Sequence, residues 1–287
     1  MRGLDFLVIG AMKSGTTTLY EDLRQHPDVH LLEKESSLLA GAAEGLPPAA
    51  DSARRVDLAL RGAPVDALCG EVATTYAMAP HFPGVVEAAA GMAGQSPRVI
   101  YIVREPLARI ISHHHHDVSS GRITTSIDDA VVDDPRLIDY TRYAEQVAPW
   151  IDLVGRDNVL LVRFESYMAD RPAGLEKVLS FLGLSPLPDH LDEVVHNRSE
   201  GKPVAVGMWG RIVRSNVYRR VLRPLLPERL RRRAMSAVLP EAPPRPAPPT
   251  PKTVEFVRQQ LAVDQERVRD LTTEQWWPRS DAGDGSV

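Results

Sequence analysis

Asp5 to Pro27 reads DFLVIGAMKSGTTTLYEDLRQHP, and this stretch decides the fold. Asp5 to Ile9 is a short apolar run, partly β-branched, of the kind that forms a buried strand. GAMKSGTTT follows at once. Leu19 and Leu23 then stand four apart, the spacing of one helix face, and Pro27 closes the segment. The order is strand, glycine-containing turn, helix. At such a junction successive backbone N–H groups and the positive end of the helix dipole converge on one point, a geometry that binds phosphate or sulfate. Lys13 adds a positive charge there, and Thr16, Thr17 and Thr18 add hydroxyl donors. An ordinary βα turn with a helix cap would need neither.

Two further apolar runs extend the pattern. Arg98 to Val103 (RVIYIV) and Asn158 to Phe164 (NVLLVRF) read as buried strands, with Leu107 to His116 and Leu175 to Leu182 as helices. Buried strands separated by helical segments predict an α/β fold, a three-layer α/β/α domain around a central parallel sheet. Residues 41–66 read as a loop with one short helix around Ala53 to Leu60. Leu239 to Pro251 (LPEAPPRPAPPTP) reads as an extended connector. Beyond it Val254, Val257, Leu261, Val268 and Leu271 mark a last helix, within 252–278, packing on the domain. A chain of 287 residues is long enough for one sizeable domain, and a single domain over 1–287 is the economical division.

With 43% apolar and 25% charged residues, the balance is that of a globular chain rather than a disordered one. A net charge of -4 gives no global reason to expect nucleic acid, so any anion site must be local. The single cysteine, Cys69, excludes an internal disulfide and suits a reducing compartment. The N-terminus lacks the apolar core and cleavage site of a secretory signal, and no stretch is long enough to span a membrane. A cytoplasmic protein is expected, touching membranes at most peripherally.

The turn is not a Walker loop. In G-x-x-x-x-G-K-[ST] the lysine follows the second glycine, whereas Lys13 precedes Gly15. A nucleotide triphosphatase also needs an acid at the end of a buried strand to hold its metal. RVIYIV runs instead into Arg104, although NVLLVRF does reach Glu165. Arg104 stands where open α/β sheets bind ligands, and Ser112 lies eight residues further, two turns along the helix that Pro106 begins. The pair makes a second anion clamp, against the plainer alternative of a salt bridge and a surface serine.

The two sites together resemble the sulfotransferases that use 3′-phosphoadenosine 5′-phosphosulfate (PAPS), in the carbohydrate, heparan-like and bacterial branch. That family carries K-[ST]-G-[TS]-[TS] and R-x-P-x-x-R-x-x-S-x-x-x-H. Here these read KSGTT, Lys13 to Thr17, and REPLARIISHHHH, Arg104 to His116. HPDVHLLEKES, GEVATTYAMAP and NVLLVRFESY extend the likeness to about residue 200. The resemblance implies a P-loop-like fold and an enzyme that moves the sulfuryl group of PAPS to a hydroxyl, less readily an amine, without a metal. Lys13 would then stabilise the transferring group, and Ser14, Gly15, Thr16, Thr17 and Thr18 would bind the 5′-phosphate. Arg104 and Ser112 would hold the 3′-phosphate, with Arg198 and Lys202 in a loop folded over that side.

By the same resemblance, LLEKESSLLA places the general base at Glu35, with Lys34 beside it. The family's proline or valine, histidine and aromatics are Ser36, Ser37, Leu38 and Leu39 here, so the acceptor is not legible from this segment. His30 is the alternative base. Glu71, in GEVATTY, and His116 are expected to face the acceptor, and Val72 replaces a lysine of heparan-type members. A small molecule, a sugar or a lipid-like compound is the expected acceptor. Two rivals remain: a nucleotide or small-molecule kinase, which would depend on magnesium, and a non-catalytic nucleotide-binding module.

Nine arginines between Arg211 and Arg233, interleaved with valines and leucines, form either an amphipathic cover of the sheet or a contact for an anionic membrane or acceptor. Trp276 and Trp277 read as packing anchors. In the run ISHHHH, helical spacing puts His113 and His116 on one face, but no second cluster offers further metal ligands, so no metal site is expected.

Overall fold

The computed structural model describes residues 2–92, 97–187 and 246–272. At its centre is a five-stranded sheet with every pairing parallel. Across the sheet the order is β2 (Val29–Leu31), β3 (Leu68–Val72), β1 (Phe6–Gly10), β4 (Arg98–Val103) and β5 (Val159–Arg163). The three strands expected from apolar runs are β1, β4 and β5, and they lie side by side.

Successive strand residues point to opposite faces, and both faces are covered, which is why these runs are apolar throughout. Phe6, Val8, Ile100 and Ile102 point to one face, where Leu19 and Leu23 of α1 (Thr16–Leu23) meet Leu175, Val178, Leu179 and Leu182 of a C-terminal neighbour. Leu7, Ile9, Val99, Tyr101 and Val103 point to the other, under Val147, Trp150 and Val154. The helices concerned are named in chain order: α2 (Ser52–Ala59), α3 (Val85–Ala90), α4 (Pro106–Ser119), α5 (Ile127–Asp133), α6 (Arg136–Asp139), α7 (Tyr143–Val154), α8 (Phe164–Ala169) and α9 (Arg171–Leu182). The expected α/β/α layering is therefore present, with α1 and α9 on one side of the sheet and α2, α3 and α7 on the other.

The last described helix, α10 (Pro251–Asp270), buries Val257 and Leu261 against Ile110, Ile127 and Leu137, and Val268 against the main core. Its Asp264 carboxylate accepts the Ala144 and Glu145 backbone N–H groups at the start of α7, at 3.3 and 3.0 Å. Those are first-turn donors with no partner inside their own helix, so the contact caps α7 from outside.

The sequence carried no expectation for α5 to α7. The longest of these, α7, buries a one-sided stripe of Tyr143, Val147, Trp150 and Val154, but Pro149 inside it reads as a breaker in the sequence. β2 has three half-buried residues, too few for a period to register. Glu71 lies inside β3. Gly70 in the same strand is required by packing: a Cβ there would come within 2.1 Å of the Phe6 ring.

Among the described residues no helix is long and apolar enough to cross a membrane. Arg198, Lys202, the arginine-rich segment 211–233, Trp276 and Trp277 lie outside the described residues, as does most of the connector 239–251.

Candidate active site

β1 is flanked on one side by β3 and on the other by β4, so the turn leaving it sits at the point where the chain changes direction across the sheet. Open α/β sheets bind ligands at such a point, outside the carboxyl ends of the strands. The turn is built to be left-handed. Lys13 has φ 68° and Gly15 has φ 88°, and the Ser14 backbone N–H closes back on Ala11 O at 3.1 Å. Gly15 caps α1, and a Cβ on it would come within 2.6 Å of the Phe164 ring. Phe164, the residue after β5, supports the site twice, because the Arg104 guanidinium lies over the same ring at 4.9 Å.

Arg104 leaves β4 as expected. Its Nη1 donates to Lys13 O at 3.3 Å, which ties the end of β4 to the turn after β1, and its carbonyl accepts the Tyr143 hydroxyl of α7 at 2.9 Å. Glu105 then caps α4, its oxygens accepting the Leu107 and Ala108 N–H groups at 3.0 and 2.6 Å, with Pro106 in the first turn. Glu165, the acid that NVLLVRF reaches, accepts the Glu105 N–H at 2.7 Å.

These elements enclose a cavity of about 1120 Å³. Its wall includes Lys13, Gly15, Thr16, Thr17, Thr18, Lys34, Glu35, Arg104, Ser112 and His116, so ten of the residues expected from sequence come together. Three do not reach the wall. Ser14 is fully buried under the turn, and its Oγ has no hydrogen-bond partner among the described residues. His30 is in β2, opposite Cys69 in the sheet. Glu71 is corrected from an acceptor-facing residue to a core carboxylate: it is fully buried and bonded to protein donors.

Glu35 follows β2 in a loop that runs beside β3. Its N–H donates to Val72 O at 2.9 Å, although its φ is 60°. Its Oε2 accepts the Thr74 N–H at 2.9 Å and the Thr74 hydroxyl at 3.2 Å, and Lys34 Nζ approaches Oε1 at 2.6 Å. Thr74 is a site residue that sequence reading missed; its only signal was its place in GEVATTY.

The histidine run divides by helix face. Ser112, His115, His116 and Ser119 line the cavity at i, i+3, i+4 and i+7 spacing, so His115 belongs with His116 on the face that Ser112 begins. His113 also touches the cavity but is nearly buried, stacked on Tyr140 and set between Arg109 and Asp117. His114 bonds Thr125 O at 3.0 Å. Burial would push the Asp117 carboxyl up, but His113 and Arg122 overcome it and hold it at about 2.

Burial, and after it the Lys13 ammonium, push His116 down to about 4. Its ring is therefore neutral in the folded protein where an unfolded histidine, near 6.5, begins to take a proton. Between those two values the unfolded chain binds more protons, so stability falls as pH drops from about 6.5 towards 4. His113 is lowered too, chiefly by burial, and acts in the same direction. The pH dependence of the melting temperature checks this: His116→Gln is expected to lose less stability than wild type over that window. Parallel curves would contradict the assignment.

The sulfotransferase-domain family model matches residues 4–202, well over half of the chain. The chain belongs to the sulfotransferase family. The sulfotransferase from Alicyclobacillus acidocaldarius is 19% identical over 94% of this chain and 96% of its own, with a TM-score of 0.64. The sulfotransferase domain from the curacin biosynthetic pathway is 15% identical over 91% of this chain and 98% of its own, with a TM-score of 0.53. At these identities the likeness is one of fold. No curated protein matches the sequence. As a sulfotransferase the chain is a PAPS-dependent enzyme whose reaction is sulfuryl transfer. The donor set fits that group: a left-handed turn at a helix N-terminus with a lysine and three threonines, and, tied to it, an arginine and a serine on the following element.

Proposed function

We propose that this sulfotransferase sulfates a hydroxyl by in-line transfer, with Glu35 as general base and Lys13 as the stabilising cation. The observation that carries the reading is backbone strain. Among the described residues only Lys13, Glu35 and Ser37 are non-glycine residues with left-handed φ, and the first two line the same cavity. Such conformations cost of order 1–3 kcal/mol each and persist where the surroundings over-determine them, as in active sites.

PAPS supplies the activated sulfuryl group and leaves as adenosine 3′,5′-bisphosphate (PAP). The turn N–H groups, Lys13 and the threonine hydroxyls hold one anionic end, while Arg104 and Ser112 hold the other. Lys34 and Thr74 orient Glu35, which takes the proton of the acceptor hydroxyl at Oε1, the oxygen that Thr74 leaves open. Little covalent chemistry falls to the protein in a loose in-line transfer, so positioning and charge stabilisation carry the rate. The acceptor wall combines Met78, Phe82 and Tyr140 with Thr75, which suits a small molecule, a sugar or a lipid-like alcohol with an apolar part.

Calorimetry with PAP tests the reading. Wild type is expected to bind it equally with and without EDTA. Lys13→Ala and Arg104→Ala are each expected to weaken binding by about 10- to 100-fold, the value of a charge-assisted contact. Unaltered binding in both variants would sink the proposal, and a requirement for magnesium would favour a kinase instead.

A further inference from the structure

Among the described residues, Glu71 is a fully buried carboxylate bonded to the loop of the candidate base, and the proposed reaction does not use it. Oε1 accepts the Ser36 hydroxyl at 2.6 Å and the Leu38 N–H at 3.1 Å, and Oε2 accepts the Tyr76 hydroxyl at 2.5 Å. Tyr76 Oη in turn accepts the Leu39 N–H at 3.0 Å. Burial, reinforced by Glu71 itself, pushes the Tyr76 hydroxyl well above its ordinary value, so it stays a donor.

Three of these contacts land on residues 36, 38 and 39, and they follow directly on Glu35. This is the segment in which Glu35 and Ser37 have φ of 60° and 51°, a conformation that a side-chain-bearing residue disfavours. An uncapped loop would relax to ordinary backbone angles and swing the Glu35 carboxylate away from Thr74. A buried carboxylate with three donors opposes that relaxation, because any movement of the loop strands an acceptor in the interior.

We infer that Glu71 is a positioning residue: through Ser36, Leu38 and Tyr76 it fixes the strained loop that presents Glu35 to the cavity. The inference rests on the reading of Glu35 as the base, and it adds a second carboxylate that never touches the substrate. Glu71→Gln keeps the volume but replaces one acceptor oxygen with a donor, so it cannot satisfy all three partners. Tyr76→Phe removes one contact of the same set and serves if the glutamine variant does not fold.

Two measurements separate this role from a general structural one. Amide hydrogen exchange at Leu38 and Leu39 is expected to quicken by about tenfold or more in either variant, while the amides of β1 and β4 keep their protection. PAP affinity is expected to stay within about threefold, and PAP release from PAPS, with 4-nitrophenol or water as acceptor, to slow by about tenfold or more. Combined with Glu35→Gln, the Glu71→Gln change is expected to add no further loss of rate, since it acts through the same group. Unaltered loop protection in both variants overturns the inference, and so does an equal loss of rate in the Glu35→Gln background. A Glu35→Gln enzyme with full activity would instead refute the base assignment, whatever the loop amides do.

Discussion

Glu35→Gln is expected to slow PAP release from PAPS by about 10²- to 10⁴-fold, the usual worth of a general base, and to leave the PAP dissociation constant within about threefold. The amide keeps the size of the carboxylate and can still accept from Thr74, so the loop and the cradle should survive. What it cannot do is take a proton from the acceptor hydroxyl. Turnover and binding should therefore separate, which is the mark of an interaction made only in the transition state. Single-turnover kinetics beside calorimetry make the comparison. A variant that loses both in proportion would place Glu35 in cofactor binding. One that loses neither would return attention to His116, the neutral imidazole that burial and Lys13 hold near 4 on the same cavity wall.

That His116 is the next candidate, and not His30, is something only the structure gives. His30 is the alternative base on the sequence alone, yet it sits in the edge strand and does not reach the cavity. The fold itself was more legible. β1, its turn and α1 were readable because an apolar run, a left-handed glycine and a helix stripe are local signals that tertiary packing reinforces. Arg104 was readable for the same reason, as the first charged residue after a buried strand.

The place of Glu35 on the cavity wall was legible through resemblance alone. Its left-handed backbone runs against the local preference of glutamate, and such exceptions are expected where function overrides propensity. Glu71 was placed at the acceptor by resemblance; its position inside β3, a strand covered on both faces, puts its carboxylate in the core instead. The face of the histidine run was within reach. Counting three and four residues on from Ser112 gives His115 and His116, whereas counting from His113 started on the buried side of the helix.

Gly15→Ala is expected to abolish PAP binding at ordinary ligand concentrations, a loss of more than about 100-fold, and to lower stability by about 2 kcal/mol or more. Two costs add at this position. Alanine at φ 88° pays the penalty of a left-handed backbone, of order 1–2 kcal/mol. Its Cβ would also stand 2.6 Å from the Phe164 ring, so either the ring or the turn must move. Phe164 is not free to move without consequence, because it carries the Arg104 guanidinium on its face. Displacing the ring therefore disturbs both proposed anion sites at once, and displacing the turn removes the N–H groups from the first. Gly62→Ala isolates the backbone cost: its φ is 89°, and nothing lies within 4 Å of the added Cβ. That variant should lose about 1 kcal/mol and bind PAP like wild type. If Gly15→Ala behaves in the same way, the contact between Gly15 and Phe164 is not what holds the two proposed phosphate sites together.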